Sequence, residues 1–399
     1  MEQNRKTDMT IIEQPKGILE YPNRPPPVQF CKNCVYPSSS AIPLTFNDDG
    51  ICSGCQVSMS KVSIDWEERA ESLREILEEN RSVDGSNYDC LIPVSGGKDS
   101  YFQTHIIKNV FGMNPLLVTY HGNNYTEAGM NNLINMREAF GVDHVFFTPS
   151  IDVLKKLNRF GFKVVGDMNL HAHAGIFTYP VRAAVQHNVP LIIWGEHGYA
   201  DVGGMYSMND FPEMTRKFRT EHCMRGYDVQ DIVGWEGLTK QDLIWMTYPD
   251  DDALDDVGVR GIYLGFFVPW DANEHIKLVV DKYGFQVAEE PFERTYRNMS
   301  NLDDMHENGI HDYMKYIKFG YGRCSDHVSK DIRAGKLTRE EGIKLVAQRD
   351  HIKSKDLWRW LDYAGMTEEE FDTIADSFRD PRVWFKDADG NWCKDNLWD

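Results

Sequence analysis

Between Tyr88 and Val268, short apolar runs alternate with stretches of helical periodicity. The runs are 90–94, 115–120, 144–148, 190–194 and 262–268. They are apolar at consecutive positions, not at every second one, so they predict strands buried on both faces of a parallel sheet. The expected fold class is α/β, a doubly wound parallel sheet with ligands in the crevice at the carboxyl ends of its strands. Asp65, Trp66, Arg69, Leu73, Ile76 and Leu77 recur at helical spacing and predict a helical connector within 61–85. A helix is likewise expected over Tyr101 to Val110. From about residue 300 the pattern is helical again. Thr338 with Glu341, and Thr367 with Glu370, are capping-box pairs that open two of these helices.

The pattern divides the chain into an extended N-terminal arm at 1–27, rich in proline at its end, and a cysteine-bearing module at 28–60. The connector follows, then a nucleotide-type domain at 86–285 and a mainly helical region at 286–399. Residues 200–260 read as an insertion. Its acidic run, Asp250-Asp251-Asp252 with Asp255 and Asp256, reads as a solvated loop.

Composition narrows the function classes. Of 399 residues 41% are hydrophobic and 26% charged, values of an ordinary globular chain. The formal net charge of −19 argues against nucleic acid as a partner gripped through phosphate contacts. No apolar run approaches a membrane span, and the polar N-terminus lacks the apolar core of a signal peptide. A cytoplasmic location without membrane insertion is expected. Eight cysteines in such a chain point to metal or free thiols and not to a disulfide framework.

Two segments carry the strongest chemistry. Ser95-Gly96-Gly97-Lys98-Asp99-Ser100 directly follows an apolar strand and opens a helix. Bare backbone N–H groups and a positive helix end then meet at one point, which attracts phosphate. The spacing is not that of a Walker A loop. Cys31-x-x-Cys34 and Cys52-x-x-Cys55, seventeen residues apart, supply four thiolates for a structural zinc ribbon, with an iron–sulfur cluster as the competing occupant. All four positions being cysteine leaves no open coordination site for catalysis.

Weaker signals follow. Trp194-Gly195-Glu196-His197-Gly198 and Asp201 come after the fourth strand, where a doubly wound sheet places ligand contacts. Glu196 suits a metal or a substrate group, or is a solvated loop carboxylate. His171-Ala-His173 would face one side of a strand and suits metal, substrate hydrogen bonding or the core. Lys318, Arg323 and Arg333 lie among glycines and suit anions, or are surface charge.

The six-residue loop resembles that of N-type ATP pyrophosphatases, the PP-loop enzymes with an adenine nucleotide alpha hydrolase-like fold. These cleave ATP between its α- and β-phosphates and adenylylate an oxygen. The wider set is similar to the N-acetyl sugar amidotransferases of bacterial surface-polysaccharide and flagellar-sugar pathways. That set comprises the double cysteine ribbon, the loop, Pro190-Leu-Ile-Ile-Trp-Gly-Glu196, His311-Asp-Tyr-x-Lys-Tyr-Ile-Lys-Phe-Gly-Tyr-Gly-Arg323 and Ile332-Arg-x-Gly-x-x-Thr-Arg-Glu-Glu341. The resemblance spans roughly 28–390. It implies conversion of a sugar acetamido group to an acetamidino group, with ATP, Mg²⁺ and a structural Zn²⁺. It implies pyrophosphate binding by Ser95, Gly96, Gly97 and Ser100, with Lys98 at the loop's variable position. Asp99 would help place Mg²⁺, adenosine would lie at Tyr120, His121 and Gly122, and Gly195 and Glu196 would line the site. Lys318, Arg323 and Arg333 would contact phosphate or a sugar carboxylate, and the helical C-terminal region would complete the site. A class I glutaminase with a cyclase-like barrel subunit would supply ammonia, and a homo-oligomer is left open. The competing functions are a tRNA-thiolating ATP pyrophosphatase, whose further cysteine pair is absent here, and a non-catalytic nucleotide-binding assembly subunit.

Overall fold

The computed structural model describes residues 26–39, 44–196, 213–214 and 226–399, together with the strand pair position at 19–20. Its strands in chain order are β1 (Leu19–Glu20), β2 (Cys90–Pro93), β3 (Pro115–Tyr120), β4 (His144–Phe147), β5 (Leu191–Trp194), β6 (Arg260–Tyr263), β7 (Phe385–Lys386) and β8 (Trp392–Cys393). β2 to β6 form one sheet in the order β4-β3-β2-β5-β6, with every neighbouring pair parallel. The chain steps outward from β2 to β4 and then resumes on the other side of β2 at β5. The carboxyl ends of β2 and β5 therefore border the switch-point crevice, where doubly wound sheets hold ligands.

Successive strand residues feed opposite cores, which explains the unbroken apolar runs. Cys90 and Ile92 pack with Leu73, Leu77, Tyr101, Leu133 and Val279 on one face. Leu91 packs with Val181, Ala184 and Leu254 on the other. Leu73 and Leu77 come from the helix Trp66–Glu79, so the connector is itself a layer of the sheet's cover.

Local structure departs from the sequence reading in four places. The fifth run is a strand only through Tyr263, and Leu264–Phe267 turns into a short helix. His171 and His173 lie on the helix Leu170–His187, not on a strand. The acidic run forms the helix Asp251–Val257, because the Asp250 carboxylate accepts the Ala253 amide and Asp251 and Asp252 sit at the positive end of the helix dipole. The predicted helix at 101–110 starts at Lys98 and widens to a π-helix over His105–Val110.

The C-terminal helices are Met305–Phe319, Arg323–Arg333, Arg339–Arg349, Leu357–Ala364 and Glu368–Ser377. Both capping boxes form at Thr338 and Thr367. Phe162 inserts from the nucleotide domain among Ile310, Met314, Trp360 and Phe371, tying the two regions together. Among the described residues, no helix is long and apolar enough to cross a membrane.

Candidate functional site

Gly96 takes φ +77°, and a Cβ there would lie 2.7 Å from Leu133 Cα on the helix Glu127–Phe140. Only glycine makes this turn against that backbone. Gly97 is different. A Cβ there meets only Ser95 Oγ, at 3.3 Å, so the loop is open above it. The Ser95 amide donates to Ser100 Oγ at 3.0 Å and the Gly97 amide to Ser95 Oγ at 3.3 Å, which fixes both serines across the loop. The next amides are those a helix leaves without an internal partner, at its positive end. This donor set fits a phosphate chain.

Asp99 is clamped from two sides. Lys98 Nζ approaches one oxygen at 2.8 Å and His275 Nδ1 the other at 2.7 Å. His275 is buried on the helix Ala272–Tyr283, stacked 3.7 Å from the Phe102 ring. Its Nε2 accepts the Asp271 amide at 3.3 Å, which leaves Nδ1 as the ring nitrogen that donates to Asp99. Burial pushes the Asp99 carboxyl up, but Lys98 and His275 outweigh it and hold the group below the usual carboxylate range. Asp99 is ionised at neutral pH. His275 lies 176 positions from its partner and belongs to no spacing pattern, so the sequence reading missed it.

A second missed group comes from residues 299–307. Leu302 O accepts the Thr126 amide at 3.1 Å, and a Cβ on Gly129 would fall 1.9 Å from that oxygen. The segment is thus laid directly on the start of the helix that supports Gly96. It delivers Asp303, Asp304 and Glu307. Burial raises Asp303, against the opposing pull of Ser95 and Lys98. Asp304 accepts the Asn124 amide and Asn169 Nδ2, each at 3.2 Å. Burial, then the charges of Glu307 and Asp303, push it well above the usual range. Glu307 pairs with His171 Nε2 at 3.2 Å, and His171 Nδ1 reaches the Tyr120 hydroxyl at 3.0 Å. The adjacent acids at 303–304 were visible in the sequence, but the reading followed the cations beyond them.

The other expected site residues scatter. Tyr120 is buried in a slot between Gly122 and Gly175, whose added Cβ atoms would come within 2.5 Å of its ring. It is a wall of the network, not an open surface. His121 stacks on Tyr125 at 5.1 Å, and burial lowers its pKa. Gly195 ends β5 against Gln103 of the phosphate-loop helix and Trp270, and Glu196 meets Lys330 at 3.4 Å. His197 and Asp201 lie outside the described residues.

The three cations expected on phosphate or a sugar carboxylate each have protein partners in this fold. Lys318 Nζ donates to Val165 O at 2.9 Å. Arg323 is paired with Asp312, at 2.7 Å for the closest contact. Arg333 faces the cysteines. The physical reason is the break at Gly320, in the left-handed region at φ +75°, which puts Lys318 and Arg323 on different helices with different neighbours.

The four cysteines form a buried centre whose ligand sulfurs all lie within 4.8 Å of one another. Cys31 and Cys55 are 4.0 Å apart, Cys34 and Cys52 3.7 Å. Four ligands at the zinc–sulfur distance of about 2.3 Å have a tetrahedral edge of about 3.8 Å. A cubane cluster places each thiolate on its own iron and needs the sulfurs farther apart, so the geometry fits a single zinc-like ion. The amides of Asn33, Cys34 and Cys52 point at Cys31 Sγ at 3.3–3.4 Å. The Arg333 guanidinium lies 3.4 Å from Cys55 Sγ and 3.6 Å from Cys52 Sγ, where it offsets thiolate charge. Arg339 donates to the Cys31 and Cys34 carbonyls, seating the centre on the C-terminal helices.

Fold and loop together define a doubly wound α/β protein with a Ser-Gly-Gly loop after its central strand and an N-terminal four-cysteine module. Residues 278–396 match the family described as LPS biosynthesis protein WbpG-like, C-terminal domain. That stretch includes His275's helix in part and all of Asp303, Asp304 and Glu307. An uncharacterised protein of Methanocaldococcus jannaschii, MJ1599, is 29% identical over 113 residues, which is 28% of this chain and 40% of that protein. The chain thus spans well under half the length of this relative. Among solved structures, the NH3-dependent NAD synthetase of Campylobacter jejuni is 14% identical, with 49% of this chain and 92% of that chain covered, at a TM-score of 0.27. The U34-tRNA thiolase NcsA of Methanococcus maripaludis, solved with its [4Fe-4S] cluster, is 13% identical, with 82% and 90% covered, at a TM-score of 0.29.

Proposed function

We propose that this chain is an ATP-dependent amidotransferase that converts the acetamido group of a sugar, free or nucleotide-linked, to an acetamidino group. The observation that carries the reading is the open phosphate loop with its clamped Asp99, covered by buried carboxylates from a region similar to a lipopolysaccharide-biosynthesis domain. An amide oxygen is a poor leaving group. Attack of that oxygen on the α-phosphorus of ATP forms an O-adenylyl imidate and breaks the bond to pyrophosphate. Ammonia then adds to the imidate carbon and AMP leaves.

In this scheme the loop amides, Ser95 and Ser100 hold the pyrophosphate portion, with Lys98 held against Asp99 at the loop's variable position. Asp99 and Asp303 would hold Mg²⁺, a hard cation suited to carboxylate oxygens, which neutralises phosphate charge when bound. Asp304, whose carboxyl is pushed up by burial and by the charges of Glu307 and Asp303, would stand beside the bound substrate. Ammonia would come from a separate class I glutaminase with a cyclase-like barrel subunit. The thiolation alternative lacks support among the described residues: burial pushes the Cys90 and Cys324 thiols far above their ordinary range, which removes their nucleophilicity.

The test is pyrophosphate release from ATP and Mg²⁺ with ammonium chloride at alkaline pH, across a panel of acetamido sugars. Sugar-dependent AMP formation with a product about 1 Da lighter, from oxygen replaced by NH, is expected. Turnover only with tRNA and a sulfur donor would overturn the reading.

A further inference from the structure

We infer that Asp167, His173 and His311 form a second metal site, separate from the cysteine centre, for a zinc-class divalent ion. One ligand atom from each residue lies within 4.8 Å of the others. His311 Nδ1 is 2.8 Å from one Asp167 oxygen, and His173 Nε2 is 3.6 Å from the other. An ion bound at about 2.0–2.1 Å to imidazole nitrogen and carboxylate oxygen sets tetrahedral ligands about 3.4 Å apart. The two observed separations, to different Asp167 oxygens, bracket that edge, and with all three ligand atoms within 4.8 Å side-chain rotation brings them to one ion.

Three rigid elements hold the donors. Asp167 follows Gly166, at φ +65°, and its amide donates to Gly161 O at 3.0 Å. A Cβ on Gly161 would come within 2.3 Å of Asp167 O, so this turn is closed to other residues. His173 is in the first turn of its helix, and its amide donates to Asn169 O. His311 lies on the helix Met305–Phe319, one turn beyond Glu307. Two donors sit on helices and the third in a short turn pinned by its backbone hydrogen bond, which favours a defined coordination geometry.

Exposure sets the polarity of the site. The Asp167 side chain is 3% exposed, those of His311 and His173 17% and 30%. The carboxylate forms the floor and the imidazoles the rim, so the fourth position opens outward. Two imidazoles and a carboxylate with an open position are the donor set of catalytic zinc and of non-haem iron, unlike the closed thiolate set of the ribbon. The open position takes water or an oxygen ligand of the substrate. The site stands beside the Asp304–Glu307–His171 row, because Asn169, two residues from Asp167, binds Asp304.

The experiment counts zinc on the full chain after equilibrium dialysis against micromolar zinc, by mass spectrometry of the metal. Wild type is expected to hold two equivalents. Asp167→Asn and His311→Ala are expected to hold one, with second-site affinity weakened more than about 100-fold, beyond the loss typical of an outer partner. Cobalt in the second site should give weak visible bands without thiolate charge transfer. His173→Gln, at the most exposed of the three positions, serves if the buried substitutions unfold, and melting curves report that. One equivalent in wild type, or a second equivalent retained in His173→Gln and in every folded variant, would overturn the inference.

Discussion

Gly96 and Gly97 are adjacent and chemically identical, yet the structure assigns them opposite failures. Alanine at 96 must adopt φ +77° and place its Cβ 2.7 Å from Leu133 Cα and Cβ and 2.8 Å from Leu133 N. The left-handed conformation costs an L-residue about 1–2 kcal/mol. Overpacking against backbone, which cannot rotate away, adds about 1–3 kcal/mol. The sum, about 2–5 kcal/mol, lowers the melting temperature by roughly 4–20 °C for a domain of this size. Alanine at 97 keeps an ordinary φ of −73° and meets only a serine hydroxyl. Stability there should change by less than about 1 kcal/mol, since cap and entropy effects oppose. The added methyl, however, occupies the space where phosphate oxygens meet the amides. Loss of one charge-assisted hydrogen bond, about 1.5–3 kcal/mol, weakens ATP binding roughly 10- to 100-fold. Scanning fluorimetry with and without ATP·Mg²⁺ reads both effects. Gly96→Ala should melt early, and Gly97→Ala should melt normally but lose its nucleotide-induced shift. Wild-type nucleotide stabilisation in Gly97→Ala would refute the phosphate cradle, and wild-type melting in Gly96→Ala would refute the packing argument.

Two further predictions concern groups outside the loop. Arg333→Gln removes the cation beside the thiolates, so zinc release to a chromogenic chelator should quicken and affinity fall about 10- to 100-fold, while the KM for ATP stays unchanged. A raised KM for ATP with unaltered zinc affinity would place Arg333 on the nucleotide instead. His144 donates from Nε2 to Thr119 Oγ1 at 2.8 Å, the hydroxyl having given its proton to Val94 O, and its buried Nδ1 has no acceptor to receive a second proton. Burial, then Arg137, lowers its pKa to about 4. Between about pH 6.5 and 4 the unfolded chain binds a proton that the folded chain refuses, so stability falls as pH drops through that window, by up to about 3 kcal/mol. Denaturation of His144→Gln should show a flatter pH profile than wild type. An NMR titration of His144 near pH 6.5 would defeat the argument.

The sheet was legible because its strands are buried on both faces, and such strands write themselves as unbroken apolar runs. The Ser95–Ser100 loop was legible as a strand–turn–helix junction because strand, glycines and helix start are contiguous. The cysteine centre was legible because thiolate ligands need only short local spacing. His275, Asp303, Asp304 and Glu307 were not legible as site residues, since tertiary packing alone brings them to Asp99 and Tyr120. The protein partners of the cations at 318, 323 and 333 were not legible for the same reason. Cations beside glycines suit phosphate, but in this fold they meet a carbonyl, a carboxylate and thiolates.

One helix fixes the geometry that matters. Glu127–Phe140 carries Leu133, which receives the Gly96 turn, and Gly129, which receives the Leu302 carbonyl. The spacing between these two contacts, one turn of the helix, sets where Asp303 stands relative to the loop. Each contact is closer than any side chain tolerates, so neither can slide without displacing the other. The carboxylates from the C-terminal region are therefore registered to the phosphate loop through shared backbone contact, not through flexible side chains. A site assembled this way has a directional charge problem. Asp99 is ionised and its neighbours are acidic, while Lys98 is already engaged with Asp99. Bound polyphosphate would add negative charge to negative charge. On the proposed function a cation between them would relieve this repulsion, so the nucleotide is expected to arrive as its magnesium complex. Nucleotide-induced stabilisation should accordingly vanish when magnesium is chelated, and stabilisation by metal-free ATP would show that the carboxylates do not face the phosphate chain.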